Sequence, residues 1–102
     1  MIVVYHKQGI ISIAGHANYA PIGQDIVCAA VSALVQTCVA SVEELTTDEI
    51  KVTKDEQGQI QAIQYKHLSE RAQVLLDAFF VGIRMIADAY PSNVKLAQAW
   101  MA

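Results

Sequence analysis

The chain has 102 residues, enough for a single domain (1–102) with one core. Seven Lys or Arg stand against ten Asp or Glu, a formal net charge of −3, and no basic run or stripe appears, which argues against direct nucleic-acid binding. At 54% hydrophobic, the chain holds more apolar surface than so small an interior takes, so a second copy is the expected partner and a homodimer the expected state.

Residues 2–6 are β-branched and aromatic and read as a strand, turning at Lys7-Gln8-Gly9 into a second strand, Ile10 to His16. Ile11 and Ile13 alternate with Ser12 and Ala14, which gives one buried face and one lighter face, with His16 at the strand end. Ala17 to Gln24 reads as a loop, with Asn18, Pro21 and Gly23 as its turn residues.

Asp25 is a candidate N-cap for a helix over 26–45, whose length decides against a strand despite its many valines. The first half of that helix is apolar on nearly all sides, so burial against both the sheet and a neighbour is expected. Residues 48–54 and 60–66 form a second strand pair, with Ile50, Val52, Ile60 and Ile63 on the apolar face. Ser69 caps a second helix, Arg71 to Tyr90, which stops at Pro91. Its core stripe is Leu75, Leu76, Phe79, Ile83, Ile86 and Tyr90, and Val74, Val81 and Met85 are left over for a partner. The Phe79-Phe80 pair and Trp100 read as packing, and Val94-Lys95-Leu96 has the pattern of a short edge strand. The order ββαββα implies an α+β two-layer sandwich, with two helices on one face of a largely antiparallel sheet.

The two cysteines, Cys28 and Cys38, are too few for a disulfide scaffold, and both lie on the first helix, too far apart to be bridged. Free thiols and a cytoplasmic location follow as expectations. The N-terminus lacks the basic-then-apolar layout of a signal peptide, and the apolar run Ile26 to Val31 is too short to cross a bilayer.

With Asp25 as N-cap, Cys28 stands in the first helical turn, where free backbone N–H groups and the helix dipole favour a thiolate. His16 lies across the loop and is placed to take or return a proton. A lone Cys beside Ile and Val otherwise reads as an inert buried thiol, so both readings stand at this point. Asp25 reads first as a cap, and secondly as a group that orients His16 or holds the loop. Ser32, one turn below Cys28, either supports the thiol or bonds back to its own helix. Gly15 and Gly23 supply positive φ or close approach, or only turns. His6 and His67, read as strand residues, lack ligand-spaced partners, and no CxxC or HxxxH occurs, so neither metal nor cofactor is expected.

Gly15-His16-Ala17, then Gly23, Asp25 to Ser32 and Leu34, resembles the ribosomal-processing cysteine proteases of bacteria, over nearly the whole chain as far as Tyr90-Pro91. The resemblance implies an α/β sandwich, a homodimer, and removal of a short N-terminal extension from a large-subunit ribosomal protein, after an aromatic pair and before a small residue. It puts the catalytic histidine on His16 and the nucleophile on Cys28, with the family's aspartate and serine on Asp25 and Ser32. It also implies a mobile loop that orders over substrate, here Ala17, Asn18, Tyr19, Ala20, Pro21, Ile22, Gly23 and Gln24. The tail Gln98 to Ala102 runs past the matching part. Expected further from the residues, the helix's first-turn N–H groups face the oxyanion. Two rivals belong to other classes: a non-catalytic dimeric module that binds a ribosomal protein or assembly factor, and a thiol redox or acyl-transfer enzyme. Redox chemistry lacks a resolving cysteine within reach of Cys28.

Overall fold

A computed structural model describes residues 1–21 and 23–98. Along the chain come β1 (Ile2–Lys7), β2 (Ile10–Ala14), α1 (Ile26–Leu45), β3 (Ile50–Lys54), β4 (Ile60–Tyr65), α2 (Glu70–Ala89) and β5 (Val94–Gln98). The sheet order is β3-β4-β2-β1-β5. β1 pairs antiparallel with β2 and β3 with β4, as the sequence implies, and the two pairs join through an antiparallel β2–β4 contact that it did not indicate. β5 adds a fifth strand parallel to β1, in the register Ile2↔Val94 and Val4↔Leu96. The sheet is therefore mixed, and its element order is ββαββαβ. β5 is only five residues long, and its pairing depends on the open edge of β1, which no local pattern displays.

Strand alternation sets the core face. Ile2, Val4 and His6 of β1, Ile11 of β2, Ile63 of β4 and Val94 of β5 are buried. A register shift between Thr53 and Lys54 pairs Lys54 with Ile60 but Thr53 with Ala62. This bulge lets both Ile60 and Ile63 pack on the core although they are three residues apart. His67, read as a strand residue, lies instead in the exposed connection after β4, which ends at Tyr65.

α1 buries Val27, Val31, Val35, Cys38, Val39 and Val42, and α2 buries Ala72, Leu76, Phe79, Phe80 and Ile83. By length and composition α1 suffices to cross a membrane, a property that the run Ile26–Val31 alone understates. Here its valine stripe lies in the same core as the strands. The two helices approach closely where Gly82 meets Leu34: a Cβ there would lie 2.8 Å from Leu34 Cδ1. Ile26, Val74, Val81 and Met85 remain exposed.

Asp48 ties the two helix–strand connections together. Its carboxylate accepts from the Ser69 N–H at 2.6 Å and the Ser69 hydroxyl at 2.7 Å, while Ser69 caps α2 through Ala72 N–H. These donors hold the Asp48 carboxyl below its usual range. Trp100 and the tail beyond Gln98 lie outside the described residues, as does Ile22.

Candidate active site

The chain leaves β2 at Ala14, two residues before His16. Gly15 has φ +92°, and a Cβ on it would run into the Met1 carbonyl oxygen. Only glycine both adopts that conformation and passes this close to the start of β1. The turn ends the strand before His16, which therefore sits in the loop, exposed. Asn18 (φ 55°) and Gly23 (φ 88°) also take left-handed conformations.

Asp25 holds this loop to α1 with both of its oxygens. Oδ1 accepts from Val27 N–H at 3.0 Å and Cys28 N–H at 2.9 Å, capping the helix. Oδ2 accepts from Tyr19 N–H at 3.0 Å and Ala20 N–H at 3.4 Å. The Cys28 N–H foremost, then those of Tyr19, Ala20 and Val27, depress the carboxyl's pKa against a partial opposing effect of desolvation. The capping and loop-holding readings of Asp25 are thus both met, by different oxygens.

Cys28 is partly exposed, in the first turn of α1. Its sulfur accepts a hydrogen bond from the Ala17 N–H at 3.4 Å. The segment carrying His16 therefore meets Cys28 through the peptide that follows the histidine. Among the described residues the His16 ring makes no hydrogen bond, and the Ser32 hydroxyl, one turn along α1 and half-buried, makes none either. Cys38 is buried, and burial pushes its thiol up to about 11, so the two cysteines differ sharply in setting.

The first-turn amides expected to face an oxyanion are already occupied. Val27 and Cys28 donate to Asp25 Oδ1, and Ala29 donates to the Asp25 carbonyl at 3.1 Å. The Ile26 N–H is the first-turn amide left without a partner among the described residues.

Two residues that sequence reasoning assigned no site role complete the surroundings. Asn93, in the turn between α2 and β5, donates its side-chain amide to the Ala17 carbonyl at 2.8 Å. Tyr90, the C-cap of α2, meets the Tyr19 ring edge-on at 5.3 Å. Asn93 is 76 residues from its partner, and no local pattern signals such a contact. His6 is far from ligand duty: its Nε2 lies 2.8 Å from the Tyr65 hydroxyl and its ring stacks on Phe80 at 4.3 Å. Among the described residues no group of three or more His, Cys, Asp or Glu is arranged to hold a metal ion.

The arrangement is a thiol at a helix start, touched by the backbone N–H of the residue that follows His16, with the loop held to the helix start by Asp25. Comparisons with known proteins agree with that chemistry. The sequence profile of cysteine protease Prp matches residues 2–95. The ribosomal processing cysteine protease Prp of Bacillus subtilis (strain 168) is 32% identical over 98 residues, 89% of this chain and 88% of that one. Its counterpart in Mycoplasma genitalium is 30% identical over 96 residues, 94% of each chain. The crystal structure of the essential ribosomal processing protease Prp from S. aureus with a covalently linked product peptide superposes with a TM-score of 0.90, at 27% identity, over 96% of this chain and 99% of that one. The same S. aureus protease with a substrate peptide gives 0.78 at 26% identity, over the same shares.

Proposed function

The chain belongs to the cysteine protease Prp family and is a cysteine protease, and on that premise we propose that it removes the short N-terminal extension of a bacterial large-subunit ribosomal protein, with Cys28 as nucleophile and His16 as general base. The observation that carries the residue assignment is the Cys28 sulfur, partly exposed at a helix start and met by the Ala17 N–H at 3.4 Å. Relatives that bear the ribosomal-processing name, and one that holds a product peptide covalently, support the reaction and the substrate class.

In the proposed reaction His16 takes the Cys28 proton, and the sulfur attacks the scissile carbonyl to give a tetrahedral oxyanion. The C–N bond breaks, and His16 passes its proton to the departing amine. Water, deprotonated by His16, then attacks the thioester; the C–S bond breaks and the carboxylic acid leaves. Asp25 serves as the clamp that holds the loop and helix start together, and Ser32 lies behind the nucleophile. We place the reaction in the cytoplasm, without direct contact to nucleic acid.

The enzyme acts as a homodimer in this reading. Val74, Val81 and Met85 leave an apolar strip on the outer side of α2, as a second copy would require. The test is incubation with the extended ribosomal protein under reducing conditions, read by mass spectrometry. A shortened N-terminus with the unaltered enzyme, and an intact one with Cys28→Ala, is the expected result. An intact N-terminus after incubation with well-folded, unaltered enzyme overturns the substrate assignment.

A further inference from the structure

Asn93 is held on both sides of its own backbone. Its N–H donates to the Tyr90 carbonyl at 2.9 Å, and its carbonyl accepts from Ile2 N–H at 2.8 Å. One contact anchors it to the end of α2 and the other to the start of β1. The side chain is thereby aimed at the loop, where it donates to the Ala17 carbonyl at 2.8 Å. The peptide preceding Ala17 presents its N–H to the Cys28 sulfur at 3.4 Å, and Ala17 itself is 1% exposed. One residue is therefore gripped at both polar atoms, the carbonyl by Asn93 and the amide by the nucleophile's sulfur, and His16 is bonded directly to it.

We propose that Asn93 is a positioning residue for the thiol chemistry, acting through Ala17 to keep a backbone donor on the Cys28 sulfur and to fix the direction in which His16 leaves the loop. An anchored peptide keeps the donor in place against the sulfur without reorganisation. Asp25 restrains the loop from Tyr19 and Ala20 onward, so it fixes the segment on the far side of Ala17. Asn93 restrains the residue that touches the nucleophile. The Tyr19–Tyr90 ring contact adds packing from the same α2–β5 corner. Because the anchor comes from that corner, where the Asn93 carbonyl also accepts from Ile2 N–H, β1 and the α2–β5 turn support the site together.

The inference rests on Cys28 being the nucleophile, and the experiment separates the two. Iodoacetamide labelling near neutral pH is followed by peptide mass spectrometry for Cys28 and Cys38 in the full chain. Asn93→Asp preserves shape but replaces the amide donor with an acceptor. It is expected to slow Cys28 labelling and kcat for peptide cleavage by roughly 10- to 100-fold, the scale of a small misplacement of reacting groups, with KM changed far less. Ser92→Ala, in the same exposed turn, leaves both rates unaltered. A folded Asn93→Asp protein with unaltered labelling and kcat overturns the positioning role and leaves the nucleophile assignment standing. A Cys28 that labels no faster than Cys38 in the unaltered protein overturns both. Should Asn93→Asp fail to fold, ¹⁵N NMR of the unaltered protein decides. Alkylation of Cys28 is expected to shift the Ala17 N–H and the Asn93 side-chain amide together, and an unmoved Asn93 amide overturns the proposal.

Discussion

The Asp25 carboxylate accepts the Cys28 backbone N–H at 2.9 Å with the same oxygen that takes Val27. The amide of the nucleophile candidate is thus committed to the helix cap, and the other carboxylate oxygen is committed to the loop. The Ile26 N–H is the first-turn amide left without a partner among the described residues, and so the one this turn can offer an oxyanion. Cap, loop and thiol geometry are one linked unit.

Replacing Asp25 therefore affects more than a helix end. Asp25→Ala is expected to lower the melting temperature by several degrees and to cut peptide cleavage by about tenfold or more, through a released loop. Its folded pKa is depressed, so the clamp is fully formed above the ordinary carboxylate value near 3.9 and is lost as pH falls through the lower folded value. Hydrogen exchange at Tyr19 and Ala20 at pH 6, compared between the unaltered protein and Asp25→Ala, reads the clamp directly: both amides lose protection in the variant. Unaltered protection in Asp25→Ala would contradict this role.

The thiols differ by setting rather than by type. Burial raises the Cys38 pKa to about 11, and the thiol lies in the core. Cys28 is partly exposed at a helix start. One equivalent of iodoacetamide at pH 7.5 is expected to modify Cys28 and leave Cys38 untouched until the chain is denatured. Cys28→Ser removes the fast phase, as intact-protein mass spectrometry would record.

His6 is expected to make stability fall in mild acid. Burial lowers its pKa from 6.5 to about 4, partly offset by Asp77. The unfolded ring takes a proton first as pH drops, so its contribution to stability is complete above about 6.5, declines between there and 4, and changes no further below that. Urea midpoints are expected to fall across this window by the equivalent of about 3 kcal/mol at most. His6→Phe flattens this part of the profile, at the cost of the contact with the Tyr65 hydroxyl. An equally steep profile in His6→Phe would assign the effect to other groups.

Gly15 cannot be enlarged cheaply. Gly15→Ala brings both the positive-φ penalty and a collision with the Met1 carbonyl, a backbone atom that cannot swing away. A loss of about 2 kcal/mol or more is expected, together with displacement of His16 and loss of cleavage. Gly82→Ala is the milder comparison, because its new methyl meets only the flexible end of Leu34. Denaturant unfolding of the two variants ranks them.

Sequence alone determined the helices and their caps. The length of the apolar stretch 26–45, Asp25 before it, and Ser69 before α2 are local signals, and each is found where it points. The strand pairs of β1–β2 and β3–β4 are local too, because a short turn brings neighbours together. Residue types and loop spacing suggested His16 and Cys28 as a candidate pair, and the family resemblance gave them roles; the structure brings Ala17, the residue after His16, to the Cys28 sulfur. Tertiary structure decided what depends on distant segments meeting. β5 takes the open edge of β1, Asn93 reaches Ala17 across 76 residues, and the sulfur's partner is a backbone amide that has no sequence identity of its own. Local propensity reports what one stretch of chain prefers, whereas a hydrogen bond between remote stretches exists only after packing has placed both ends.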